Sequence, residues 1–180
     1  MIISVSSGKG GTGKTFVATN LAKTLSNKSE LLFLDCDVEE PNAHLFLKPE
    51  FDSSRPVTIP VPRIDENKCT LCGLCAEVCA FNALMAARSS VLVFEQLCHG
   101  CGGCTYFCPE KAISENNRPI GQLETGHAGE IRFVHARLDP GEALSPPLIK
   151  AVKARITANG LTLIDAPPGN SCSAVETIKG

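Results

Sequence analysis

Gly8-Lys9-Gly10-Gly11-Thr12-Gly13-Lys14-Thr15 fits the pattern G-x-x-x-x-G-K-[ST]. Its neighbours give the match weight. Ile2 to Ser6 is a short β-branched run that predicts a strand, and Phe16 to Leu25 carries Val17, Leu21, Ala22 and Leu25 at helical spacing. In a strand, glycine loop and helix, successive backbone N–H groups converge on one point with the positive end of the helix dipole behind them. A polyphosphate fits that concavity. Gly8, Gly10, Gly11, Thr12 and Gly13 supply the cradle, Lys14 neutralises β- and γ-phosphate oxygens, and the Thr15 hydroxyl ligates Mg²⁺.

Outward from this loop the chain reads as α/β. Leu31 to Leu34 is a continuous apolar run, as in a strand buried on both faces of a parallel sheet. Leu161 to Ile164 repeats it after a helix expected over Leu148 to Ala158. Both runs end in aspartate, Asp35 and Asp165, and carboxyl ends of parallel strands are where open α/β sheets bind ligands. Ile120 to Glu124 and Ile131 to Leu138 predict two further strands around turn residues Gly126 to Gly129, so the sheet is expected to be mostly parallel with local hairpin character.

Ten cysteines are many for 180 residues, and eight of them fall between Cys69 and Cys108. Cys69, Cys72, Cys75 and Cys79 become Cys98, Cys101, Cys104 and Cys108 when 29 is added, and Ala83-Leu84 becomes Ala112-Ile113. Two copies of one small unit are present. Pro49, Pro56, Pro60 and Pro62 ahead of it, and Asn116, Asn117, Pro119 and Gly121 behind it, are read as breaks in regular structure. They place an inserted domain at 63–115 inside a discontinuous domain of 1–62 and 116–180.

Each copy reads C-x₂-C-x₂-C-x₃-C, the run of bacterial cubane iron–sulfur sites, in which the fourth cysteine of one run ligates the other cluster. One [4Fe–4S] cluster is then expected on Cys69, Cys72, Cys75 and Cys108, and a second on Cys98, Cys101, Cys104 and Cys79. Paired C-x₂-C also makes structural zinc sites, although these typically take two separated pairs without a third cysteine. Disulfides suit an oxidising compartment, and the N-terminus carries no secretory pattern, so a cytoplasmic location is expected. Phe81, Tyr106 and Phe107 are expected to supply the module's apolar packing, and Cys36 and Cys172 to behave as small hydrophobes or helix starts.

Composition sets outer limits. Seventeen basic against nineteen acidic residues give a formal charge of −2, which provides no global field for nucleic acid. No apolar stretch is long enough for an integral membrane segment.

The segment Lys9 to Thr15 resembles the deviant Walker A loop of the MinD/ParA/Mrp family of P-loop ATPases. That resemblance implies ATP and Mg²⁺ as cofactors, and a homodimer or paralogue heterodimer in which Lys9 reaches the partner's phosphates. Leu34-Asp35-Cys36-Asp37-Val38-Glu39-Glu40-Pro41-Asn42 looks like the family's switch I, which implies that Asp37 orients the attacking water. Ile164-Asp165-Ala166-Pro167-Pro168-Gly169 looks like its switch II, which implies that Asp165 holds Mg²⁺ through water. Lys9, Lys14 and Asp37 are thus the expected catalytic residues. Arg63 to Glu115 resembles a bacterial two-[4Fe–4S] ferredoxin domain, an α+β fold, although Ala80 stands where a proline usually follows the fourth cysteine. The composite resembles MinD-superfamily ATPases with an inserted ferredoxin domain, and implies ATP turnover coupled to electron transfer or to a redox protein partner. A spatial-positioning or scaffold ATPase with redox-sensing clusters, and a metallocentre or iron–sulfur assembly ATPase, are the alternatives. The family's sheet continues after switch II with the adenine pocket, so this stretch is expected to be C-terminally incomplete, with an unpaired sheet edge and weak nucleotide binding.

Overall fold

The computed structural model describes residues 1–27 and 30–179. In chain order the elements are β1 (Ile2–Val5), α1 (Lys14–Ser26), β2 (Leu31–Asp35), α2 (Ala43–Leu47), β3 (Glu50–Ile64), α3 (Leu74–Glu77), β4 (Leu84–Ala86), β5 (Val91–Val93), α4 (Gly103–Phe107), β6 (Ile113–Ala128), β7 (Ile131–Leu138), α5 (Pro146–Lys153), β8 (Leu161–Asp165) and α6 (Cys172–Ile178). The chain divides into two compact units, 1–57 with 120–180, and 58–119.

A six-stranded sheet runs in the order β1-β8-β2-β7-β6-β3. β8 pairs parallel with β1 and β2, β2 pairs parallel with β7, and β6 is antiparallel to β7. Every residue of β2 and β8 is buried, as their unbroken apolar runs require for inner parallel strands. Phe33 and Phe133 are register partners whose rings stack with centroids 5.7 Å apart. Ala18 and Ala22 of α1 pack on the cluster these rings share with Leu31, Leu163, Ala43 and Leu47. The helix buries Ala18, Thr19 and Ala22, so Val17, expected on the inward face, is instead exposed.

Several sequence expectations are corrected. Pro56, Pro60 and Pro62 lie inside β3, and Asn116, Asn117, Pro119 and Gly121 lie inside β6. Prolines survive there because β3 is an edge strand and the β6–β7 pairing begins only at Gly121, beyond Pro119, so no ladder hydrogen bond is lost to β7. Gly126 is likewise a strand residue and not part of the turn, which is made at Gly129 (φ 60°). A Cβ on Gly126 would stand 2.1 Å from the Glu50 carbonyl oxygen, so close backbone approach explains this glycine. The helix expected to Ala158 stops at Lys153, where Ala154 caps α5 through N–H bonds to Lys150 and Val152.

In the unit 58–119 the 29-residue repeat is written into the backbone. Left-handed φ angles recur at Leu71 (56°) and Gly100 (64°), Gly73 (79°) and Gly102 (72°), and Asn82 (52°) and Lys111 (49°). Gly73 and Gly102 open α3 and α4. β4 and β5 form a short antiparallel pair. The unit's core includes the repeated pairs Ala83, Leu84, Ala112 and Ile113 together with Ile59 and Val61 of β3. Phe81, Tyr106 and Phe107, expected to pack it, are exposed, Tyr106 to 83%. Phe81 instead lies flat on His99, with centroids 3.6 Å apart.

Candidate functional site

The loop after β1 closes a cavity of about 280 Å³ lined by Ser7, residues 10–16, Asp37, Glu40, Asn42, Phe46 and Pro168. The first loop, the segment after β2 and the segment after β8 meet here because β1, β8 and β2 are parallel neighbours, so their carboxyl ends share one edge. Gly11 and Gly13 hold left-handed conformations, φ 73° and 84°, that let the loop curl. Lys14 Nζ stands 2.5 Å from Asp165 Oδ1 and 3.4 Å from Thr15 Oγ1. Asp165 is completely buried, and its second oxygen, Oδ2, has no hydrogen-bond partner among the described residues. Buried polar atoms are normally paired, so an orphaned carboxylate oxygen beside Thr15 and Lys14 marks a place for a cation or its water.

Asp35 and Asp165 are register partners at the strand ends, but they do different work. Asp35 Oδ1 accepts the Asp37 N–H and Oδ2 accepts the Ala43 N–H, both at 3.1 Å, which ties down both ends of the stretch 37–43. Lys9 and Gly8 do not line the cavity; Lys9 is exposed, and its carbonyl accepts the Ser7 hydroxyl. Phe16, Glu40, Phe46 and Pro168 are lining residues that the motifs did not single out. The two phenylalanines are over 40% exposed, and an exposed aromatic beside a phosphate loop is the one signal that could have found them.

The cysteines of the unit 58–119 line two further cavities. One is walled by Cys69, Cys72, Cys75 and Cys108, with Ile64, Leu71, Val91 and Ile113 among its apolar lining. The other is walled by Cys79, Cys98, Cys101 and Cys104, with Pro60, Pro62, Phe81 and His99. Each draws three thiols from one run and the fourth from the other. The Ala83 N–H donates to Cys79 Sγ at 3.2 Å and the Ala112 N–H to Cys108 Sγ at 3.3 Å, again 29 residues apart. Gly100 N–H donates to Cys98 Sγ at 3.4 Å. Burial pushes the Cys75 and Cys104 thiols up. Among the described residues no group of three or more His, Cys, Asp or Glu side chains is arranged to hold a single metal ion. Of the outlying cysteines, Cys36 is fully buried, its thiol raised by burial and by Asp35, and Cys172 is exposed at the start of α6.

The family model described as the CobQ/CobB/MinD/ParA nucleotide binding domain matches residues 3–176. The chain belongs to this family. An uncharacterized protein of Methanocaldococcus jannaschii is 33% identical over 183 residues, which cover 99% of this chain and 64% of that relative. A ferredoxin of Pyrobaculum islandicum is 32% identical over 107 residues, covering 58% of this chain and 89% of the ferredoxin. The septum site-determining protein MinD of Pyrococcus horikoshii, solved with Mg-ADP, is 20% identical with a TM-score of 0.45, covering 98% of this chain and 53% of its own. The chain thus spans less than two thirds of the length of the M. jannaschii relative.

In this CobQ/CobB/MinD/ParA-family domain the electrostatics around the nucleotide cavity are crowded with carboxylates. Burial, then the Asp165 charge, pushes Asp35 up to about 7. Burial raises Asp37 to about 6, opposed by Lys14 and helped by Asp165. Of the two, only Asp37 lines the cavity, and a carboxylate held above its ordinary range there beside Lys14 gains from an added divalent cation. No helix among the described residues is long and apolar enough to cross a membrane.

Proposed function

We propose that this protein is an ATPase that carries an inserted two-[4Fe–4S] ferredoxin domain, and that its nucleotide state controls electron transfer to a redox protein partner. The observation that carries the reading is the crossing of the cysteine runs: each cavity takes three thiols from one run and one from the other, in a chain that also holds the Lys14–Asp165 phosphate loop. The thiol quartets and the N–H groups aimed at Cys79, Cys98 and Cys108 suit a soft, anionic metal–sulfur group. The similarity to a ferredoxin over 58% of the chain supports the same reading. Cysteine-held cubanes supply reversible one-electron transfer when bound.

On the nucleotide side, the residues 10–13 present backbone N–H groups to the phosphates, Lys14 balances their charge, and Thr15 with Asp165 takes Mg²⁺. Asp37 holds the attacking water, its position set by the Asp35 tether. Lys9, exposed outside the cavity, reaches the phosphates of a second copy or a paralogue, so that ATP closes a dimer. Dimer closure then alters access to the 63–115 domain.

Iron, sulfide and zinc analysis of anaerobically purified protein is the first test, and about eight iron per chain is expected. About two zinc and no sulfide would remove the redox half of the proposal. Coupling is tested by following cluster reduction by EPR with and without ATP; reduction rates that ignore ATP in a protein that hydrolyses it would count against control by nucleotide state.

A further inference from the structure

In the nucleotide-binding unit a polar chain joins three residues to which the sequence motifs give no role. Ser145 stands at the N-cap of α5 and Ser173 in the first turn of α6; both are buried, and their Oγ atoms lie 2.6 Å apart. Ser145 makes no side-chain bond to its own helix, and its Oγ lies 3.0 Å from Glu39 Oε1. Ser173 Oγ is 3.5 Å from the same oxygen. The protons available set the direction, since each hydroxyl has one to give and a carboxylate only accepts. The two shorter contacts are satisfied together when Ser173 donates to Ser145 and Ser145 donates to Glu39. Glu39 is exposed and water can serve it, but the serines are out of water and need the carboxylate as the end of their chain.

The places that this chain connects both border the nucleotide cavity. Asp37, Glu40 and Asn42 line it from the stretch after β2, and Pro168 lines it from the segment that leads from Asp165 into α6. The first stretch is anchored at Val38, whose carbonyl accepts the Leu138 N–H at 2.9 Å, and at Ala43, whose N–H donates to Asp35. Residues 39–42 span the gap between those anchors, and the Glu39 side chain ties that span to α5 and α6. The second segment is held to the phosphate loop by the Gly169 N–H, which donates to the Ser7 carbonyl at 2.9 Å. α5 and α6 are joined at their far ends as well, where Lys153 Nζ donates to the Glu176 carbonyl at 2.8 Å. The stretches that carry Asp37 and Asp165 are therefore linked through one pair of clamped helices.

We propose that Glu39, Ser145 and Ser173 are positioning residues that hold Asp37 in place relative to Asp165, so that the two cavity-lining stretches move as one when nucleotide binds. None of the three lines the nucleotide cavity, so their effect falls on the alignment of the attacking water and not on phosphate binding. The effect on hydrolysis rests on the nucleotide reading, whereas the link between the two stretches does not.

Steady-state ATPase assays and hydrogen exchange of the full chain test the proposal. Glu39→Ala and Ser173→Ala are each expected to lower kcat about tenfold with KM within about threefold of wild type. Glu39→Gln, which keeps an oxygen acceptor for Ser145, is expected to recover most of the loss. The double variant should be no slower than the slower single one, because either change breaks the same chain. Exchange without nucleotide gives a second readout: Ser173→Ala should speed it by about threefold or more in peptides spanning 36–45, and Glu39→Ala in peptides spanning 172–178. Undiminished kcat in both alanine variants, no recovery in Glu39→Gln, or faster exchange confined to the mutated element would overturn the proposal. Long-range exchange effects in a chain that hydrolyses no ATP would refute the nucleotide reading and leave the link standing.

Discussion

Lys14 Nζ and Asp165 Oδ1 lie 2.5 Å apart across 151 residues of chain, with 7% and 0% of their side chains exposed. The contact joins the phosphate loop after β1 to the end of β8, and it buries a charge pair whose members cannot be solvated separately. Removing one partner of such a pair costs about 3–5 kcal/mol, because the survivor is left charged and dry. Lys14→Ala and Asp165→Asn are each expected to lose about 3 kcal/mol in urea unfolding, and the double variant at least 1 kcal/mol less than their sum. An additive cycle would show that the two side chains do not interact in solution.

Asp35 is predicted to act on nucleotide without touching it. Its two backbone hydrogen bonds hold residues 37 and 43, and intramolecular hydrogen bonds contribute about 0.5–1.5 kcal/mol each. Asp35→Ala should weaken Mg-ADP binding about tenfold by calorimetry, mainly through a larger entropic cost of ordering the stretch. Unchanged affinity would mean that the stretch is held by other contacts.

His135 sets an acid limit on stability. Burial among Phe51, Phe133 and His44, with Arg137 on its own strand, lowers its folded-state pKa below the ordinary 6.5 despite the Glu124 partner. The unfolded chain therefore binds the proton first, so stability is full above pH 6.5 and falls as pH drops from there through the lower folded value. Asp35 and Asp37, held above their ordinary range, favour the folded state as pH drops, so the His135 contribution is read as a difference. Thermal unfolding of metal-free protein between pH 5 and 8 should show His135→Gln gaining stability relative to wild type toward pH 5.

The two cysteine quartets can be separated genetically. Cys79→Ser is expected to perturb the same EPR signal as Cys101→Ser, and Cys108→Ser the same signal as Cys72→Ser, because each cavity takes its fourth thiol from the other run. Pairing of Cys79 with Cys72 instead would show that each run closes its own site.

Two pairs of positions test the backbone. Gly126→Ala would drive a Cβ into the Glu50 carbonyl and is expected to cost about 3 kcal/mol or more, whereas Gly129→Ala, with nothing within 4 Å, should cost about 1 kcal/mol for its positive φ alone. In the repeat, Gly100 faces Pro60 and Ile59 at 3.0–3.2 Å, while its counterpart Leu71 bears a side chain at φ 56°. Leu71→Gly should therefore be tolerated, within about 1 kcal/mol of wild type, and Gly100→Leu should not. Denaturant midpoints of the four variants decide both points.

Features that depend on neighbours in sequence were legible without coordinates. The glycine loop at 8–15, the apolar runs that became β2 and β8, and the 29-residue offset of the cysteines are local patterns, set by backbone sterics, burial on two faces and ligand spacing. What failed depended on context. Pro60 and Pro119 look like breaks in the sequence, yet strands tolerate them wherever the neighbouring ladder is missing. Gly126 looks like a turn residue in the sequence, yet it answers a carbonyl from Glu50. Tyr106 and Phe107 look like core residues in the sequence, yet the module is filled by Ala83, Leu84, Ala112 and Ile113 with Ile59 and Val61.

By itself, then, the sequence determined which segments could cradle a phosphate and which thiols come in threes, because those properties are carried by residues within a few bonds of one another. Tertiary structure alone decided that Lys14 meets Asp165, that Asp35 serves as a tether, and that His135 is buried with one nitrogen unpaired beside Arg137. Those outcomes depend on which strands lie side by side and on what water can no longer reach, and neither quantity is a property of any short stretch of chain.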